Sequence, residues 1–145
     1  MEMQTKLSNY LGINGIYVNR DEQSVKYIMQ LKGLQLPEDF IKFYQWFDGT
    51  EDLDDFAGFF FYPLNELESA NSKLRNADNP ELNNVILFLD YLINCWWYGV
   101  RIVNECKYEI LIVASENEYK VITDSLNDFI DLYLNDNNVL YDYSP

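Results

Sequence analysis

The chain has 145 residues, 48% of them apolar, which is one domain's worth of core without disulfide or metal staples. Ten Lys and Arg against 24 Asp and Glu leave a formal charge of −14, which repels a nucleic-acid backbone or an anionic membrane surface. Histidine is absent, which removes Ser–His–Asp and Cys–His catalysis, His-ligated zinc and a His-based pH switch.

In chain order, the N-terminus has no basic region followed by an apolar stretch, and no apolar run reaches membrane-spanning length, so a cytoplasmic protein is expected. Ile13–Val18 reads either as a small hairpin around Asn14-Gly15 or as a loop. A first helix is predicted over Asp21–Lys32, from Val25, Ile28 and Met29 at helical spacing and Gly33 as a stop. A second is predicted over Pro37–Phe47. Pro37 suits its first position, Glu38 and Asp39 complement the helix dipole, and Phe40, Phe43, Tyr44 and Phe47 form a core-facing stripe. Gly49 is expected to take the left-handed cap.

The acidic run Glu51-Asp52-Leu53-Asp54-Asp55 follows, then a buried strand over Phe56–Tyr62 ending at Pro63. A third helix is predicted from Leu64 to Arg75, with a loop over Asn76–Asn84. The pattern then changes to strands at Val85–Leu89, Ile93–Val103, Tyr108–Ala114 and Tyr119–Ile122, whose short connections call for antiparallel pairing. A closing helix starts at Asp124 or Ser125 and turns Leu126, Phe129, Ile130, Tyr133 and Leu134 to the core. Beyond Asp136 the tail either docks through Val139, Leu140 and Tyr141 or frays. The fold class is α+β: N-terminal helices, an antiparallel-dominated sheet from the C-terminal half, and a closing helix. One domain spans 1–145, with 1–20 and 136–145 as peripheral segments.

Two features carry candidate chemistry. Asp48, Glu51, Asp52, Asp54 and Asp55 form the densest ionisable cluster. As an EF-hand loop it fails, with Leu53 where glycine is needed and Phe59 where the bidentate Glu belongs. A solvated loop or a surface that steers a basic partner are the readings it supports. Trp96-Trp97-Tyr98 is the other: Trp96 and Tyr98 share one strand face, Trp97 and Gly99 the opposite one, and an exposed Trp96 or Tyr98 would anchor an interface. Cys95 and Cys106 are expected to be reduced, core-like side chains, too far apart to bridge. No serine has a G-x-S-x-G setting and no phosphate-cradling glycine loop is present, so no catalytic residue, cofactor or metal site is assigned.

Motif order resembles the SUKH superfamily. The carrying residues are Leu36-Pro37-Glu38-Asp39-Phe40, Phe43-Tyr44 and Asp48-Gly49; Phe61-Tyr62-Pro63-Leu64-Asn65-Glu66-Leu67 with Asn71; Ile86-Leu87-Phe88; and Val121-Ile122-Thr123-Asp124-Ser125-Leu126-Asn127-Asp128-Phe129-Ile130. The chain departs after Phe88, where many members have a Gly/Asp-rich turn and this one has the apolar Leu89-Asp90-Tyr91-Leu92-Ile93-Asn94. The resemblance implies a binding protein rather than an enzyme: bacterial members look like antidotes that cover a toxin domain, often a nuclease, and fungal members like scaffolds of cell-wall glucan synthesis. The expectation is an immunity protein that occludes a basic toxin domain through Asp48, Glu51, Asp52, Asp54, Asp55, Trp96 and Tyr98. A glucan-synthesis scaffold is the alternative, and a hydrolase using the acidic cluster a third.

Overall fold

A computed structural model describes residues 2–51, 58–75 and 78–142. Helix α1 (Glu2–Leu11) leads through a 3-10 turn to strand β1 (Gly15–Tyr17), then come α2 (Glu22–Leu31) and α3 (Glu38–Trp46). Strands β2 (Phe47–Thr50), β3 (Phe59–Phe61) and β4 (Glu68–Ser69) and the short α4 (Ala70–Lys73) follow. The second half is β5 (Ile86–Tyr91), β6 (Trp96–Asn104), β7 (Lys107–Ser115), β8 (Glu118–Thr123) and α5 (Leu126–Leu134). The main sheet has the order β3-β5-β6-β7-β8, with β4 also on β5, and every pairing is antiparallel. The fold is α+β, and β5–β8 is the meander that the short connections require.

The helices obey their local signals. Asp21 caps α2 by accepting from the Ser24 N–H at 2.7 Å, and Ser125 caps α5 through Asp128 N at 3.2 Å. Pro37 is the cap of α3, one position before the expected one. The α3 stripe packs on the sheet, with the Phe40 ring 5.0 Å from Phe88 and Phe43 4.6 Å from Phe47. Phe129 of α5 closes the same layer at 5.3 Å from Phe88. Leu7 and Leu11 of α1 and Leu140 of the docked C-terminal turn are fully buried in this core as well.

Four expectations are corrected. First, Gly49 does not cap α3, which ends at Trp46; Phe47–Thr50 is a strand paired with β1, and this is neither a hairpin within 13–18 nor a loop. Gly49 adopts φ +90°, and a Cβ there would sit 2.7 Å from the Phe61 carbonyl oxygen. Second, no single helix spans Leu64–Arg75. Glu68 and Ser69 are claimed by the β5 edge opposite Leu87 and Ile86, so a 3-10 turn precedes β4 and only Ala70–Lys73 is α-helical. Third, β6 starts at Trp96, not Ile93: residues 92–95 form the turn between β5 and β6. Fourth, Cys95 and Cys106 are exposed free thiols, because each falls in a turn at opposite ends of β6. Nine strand residues between them span about 30 Å, so they do not bridge.

Candidate protein-binding surface

Both faces of the sheet carry buried side chains. On the helix side Tyr98 is fully buried, its hydroxyl donating to the Leu140 carbonyl oxygen and accepting from Trp96 Nε1. Tyr98 is therefore not a surface anchor, since the C-terminal turn closes over it. Trp96, at the start of β6, is half-buried and stacks on Tyr91 at 4.7 Å. On the other face, Phe60, Asp90, Trp97, Val113 and Tyr119 stand in one cross-strand row. Val85 fills the space over Gly99, and Lys73 lies 5.3 Å from the Tyr62 ring centroid.

Asp90 in that row is a buried carboxyl, 7% exposed, which the sequence reading did not single out. Tyr62 Oη donates to its Oδ2 at 3.1 Å and accepts from Trp97 Nε1 at 3.1 Å. Burial pushes Asp90 above the usual carboxylate range, with the Tyr62 hydrogen bond and the Lys73 charge opposing. The chain of donors locks the row together, and its signal in sequence was one acid inside an apolar strand.

The acidic cluster divides. Asp48 pairs with Arg20 at 3.0 Å and accepts from Leu64 N at 3.0 Å, so it clamps β2 to the 63–64 segment instead of facing a partner. Glu51 is exposed, and its N–H donates to the Asn14 carbonyl at 2.8 Å. Asp52, Asp54 and Asp55 lie outside the described residues. Gly58, three residues past that run, has φ +90° and accepts from Leu92 N at 2.8 Å. A Cβ on Gly58 would lie 2.8 Å from Leu92 Cδ2. Glu51, the first residue of the acidic run, is thus tied to Asn14, and Gly58, three residues past its last, to the β5–β6 turn.

Exposed apolar side chains flank both ties. Ile13, next to Asn14, is 94% exposed; Leu92 and Ile93 are 51% and 74% exposed. Leu92, Ile93 and Asn94 take φ of 50°, 54° and 67°, with Cys95 N closing the turn on the Tyr91 carbonyl at 3.0 Å. Left-handed backbone costs a side-chain-bearing residue about 1–2 kcal/mol, and most of all a β-branched one. Asn94 Oδ1 accepts from Trp97 Nε1 at 3.2 Å, which holds the turn from beneath. The sequence reading missed this tip, though the missing glycine after Phe88 marked its place. The result is an apolar projection on a fixed scaffold, tied to Gly58.

Among the described residues no group of three His, Cys, Asp or Glu is placed to hold a metal ion, and no helix is long and apolar enough to cross a membrane. In comparisons with known proteins, residues 21–132 match the model of the SMI1 / KNR4 family (SUKH-1). No curated protein and no solved structure matches the chain.

Proposed function

The chain belongs to the SMI1 / KNR4 family (SUKH-1), and from that premise we propose that it is a non-enzymatic, protein-binding immunity protein of the bacterial cytoplasm. It neutralises a cognate toxin domain by covering the toxin's substrate groove. The supporting observation is the strained, solvent-facing Leu92–Ile93 tip, tied to Gly58 three residues past the acidic run. A basic groove built to bind nucleic acid is attracted by the chain's net −14. Glu51, Asp52, Asp54 and Asp55 steer the encounter, and Leu92 and Ile93, with the half-buried Trp96 behind them, make the close contact. Asp48 and Tyr98 act from inside, by holding the surface in place.

The test is co-expression with the small C-terminal toxin domain of a large secreted protein encoded beside this chain. Restored growth and a stoichiometric complex are expected. Absence of any complex refutes the reading, and a stable complex that leaves the toxin active redirects it to a scaffold such as that of glucan synthesis.

A further inference from the structure

Strands β5 and β6 part company before β6 ends. The last pair of their ladder is Ile86 with Val100, whereas β6 runs on to Asn104. Upstream of Ile86 the chain comes from a 3-10 turn at Pro80–Leu82 and does not continue the strand. On its other side β6 stays paired with β7 as far as Asn104 opposite Lys107. Beyond Val100, β6 therefore has no strand beside it on the β5 side among the described residues.

Two adjoining cavities, about 360 and 310 Å³, lie along that edge and share Gln35 and Ile102. The first is bounded by Gly33, Leu34, Asn84 and Ile86; the second reaches Leu36, Asp39, Asn104 and Lys107. From Val100 to Asn104 the lane is about 13 Å long at 3.3 Å per residue, the span of about four extended residues. Its apolar lining comes from Ile86, Ile102 and Leu36, and Gln35, Asn84 and Asn104 contribute amide groups. Glu38, Asp39 and Glu105 stand around the second cavity with Lys107; Glu38 also pairs with Lys42 at 3.8 Å and Asp39 accepts from the Tyr108 hydroxyl, so the rim keeps a small negative excess.

We propose that this lane is a second binding site, which takes an extended segment of a partner protein as an added strand beside β6. Backbone pairing supplies the affinity, and side chains of alternate residues supply the selectivity. Ile102, Ile86 and the acids of α3 share one face of the sheet, so on that face the added strand sets an apolar residue against Ile102 and Ile86 and, two residues on, a basic one toward Glu38 and Asp39. A second copy of this chain is disfavoured as occupant, because two chains of −14 repel and each would bring acid to acid. The site lies at the far end of β6 from the Leu92–Ile93 tip and is independent of toxin neutralisation.

The experiment is a titration of the ¹⁵N-labelled chain with two capped hexapeptides of equal composition and charge. One spaces Val and Lys two residues apart, Thr-Val-Thr-Lys-Thr-Thr; the other sets them side by side, Thr-Thr-Val-Lys-Thr-Thr. The spaced peptide is expected to shift the amides of Ile102, Val103, Asn104 and Gln35, to slow their hydrogen exchange, and to bind at least tenfold more tightly than the side-by-side peptide. Gln35→Arg, at an exposed loop position, should weaken it at least tenfold without disturbing the rest of the spectrum. Equal responses to the two peptides, or shifts confined to the flanks of the acidic run, mean adsorption by charge alone and overturn the proposal. Self-association of the chain that Ile102→Lys abolishes would give the lane to a second copy and overturn it too.

Discussion

Ile93 is where folding and binding pull in opposite directions, and Ile93→Gly separates them. The native residue holds φ 54° with a side chain 74% exposed, so the fold carries left-handed strain and gains little burial in return. Relieving that strain returns about 1–2 kcal/mol. Glycine gives back about 0.5–1 kcal/mol through the greater freedom of its unfolded chain. The net expectation is a stabilisation of about 0.5–1 kcal/mol, which for a chain of this size raises Tm by about 1–4 °C. Thermal and urea unfolding followed by Trp fluorescence measure it. The same substitution should weaken partner binding at least tenfold, because it removes the most exposed apolar side chain of the tip. A variant that is less stable than wild type would show that Ile93 is packed or that the turn is not left-handed, and the reasoning would fail at its first step.

The other perturbations test the scaffold and the charge. Gly49→Ala should destabilise by about 2–4 kcal/mol, because its Cβ meets the Phe61 carbonyl at 2.7 Å on a backbone at φ +90°; a urea midpoint unchanged from wild type would contradict this placement of β2. Since burial raises the Asp90 carboxyl above its unfolded value of about 3.9, the native state binds that proton more tightly. The stabilisation from this proton is complete below about pH 4 and lost as pH rises through the raised native value; Asp90→Asn should abolish that part of the pH dependence in urea melts, and an identical slope would refute it. Converting Glu51, Asp52, Asp54 and Asp55 to Gln or Asn should slow association with a basic partner and flatten its salt dependence while dissociation changes little, as read by stopped flow; an unaltered association rate removes the acidic run from the interface.

The elements legible in the sequence were those whose signals are local. Asp21, Pro37 and Ser125 open helices where short-range capping chemistry places them, and the β-branched runs after Val85 became β5–β8. Helix α1 was overlooked although Met3, Leu7 and Leu11 recur every four residues, two of them fully buried. Where the reading failed, distant backbone decided the outcome. Leu64, Leu67 and Leu74 have plausible helical spacing, but Asp48 binds Leu64 N and β5 pairs with Glu68–Ser69, and these long-range bonds outweigh local propensity. Gly49 likewise answers to the approach of Phe61 and Pro63, not to the end of a helix.

The proposed binding surface was half legible for the same reason. A run of carboxylates declares itself in any register, so the acidic cluster was found, but the bond that turns Asp48 inward to Arg20 comes from 28 residues away. The tip could not be found by propensity at all, since Ile93 is a strand-former and a β-branched residue resists positive φ. What puts it there is the pull of Gly58 on Leu92 N and of Trp97 on Asn94. A turn that needed only to connect β5 and β6 would be cheaper with glycine at these positions, and would expose no isoleucine. Spending strain to hold Leu92 and Ile93 in water makes physical sense if a partner removes them from it. Burying most of one such side chain is worth about 1.5–3 kcal/mol, enough to recover what its backbone costs in the free protein. The stability measurement on Ile93→Gly and the binding measurement on the same variant are therefore two readings of one quantity, and opposite signs are the signature of a surface built for contact.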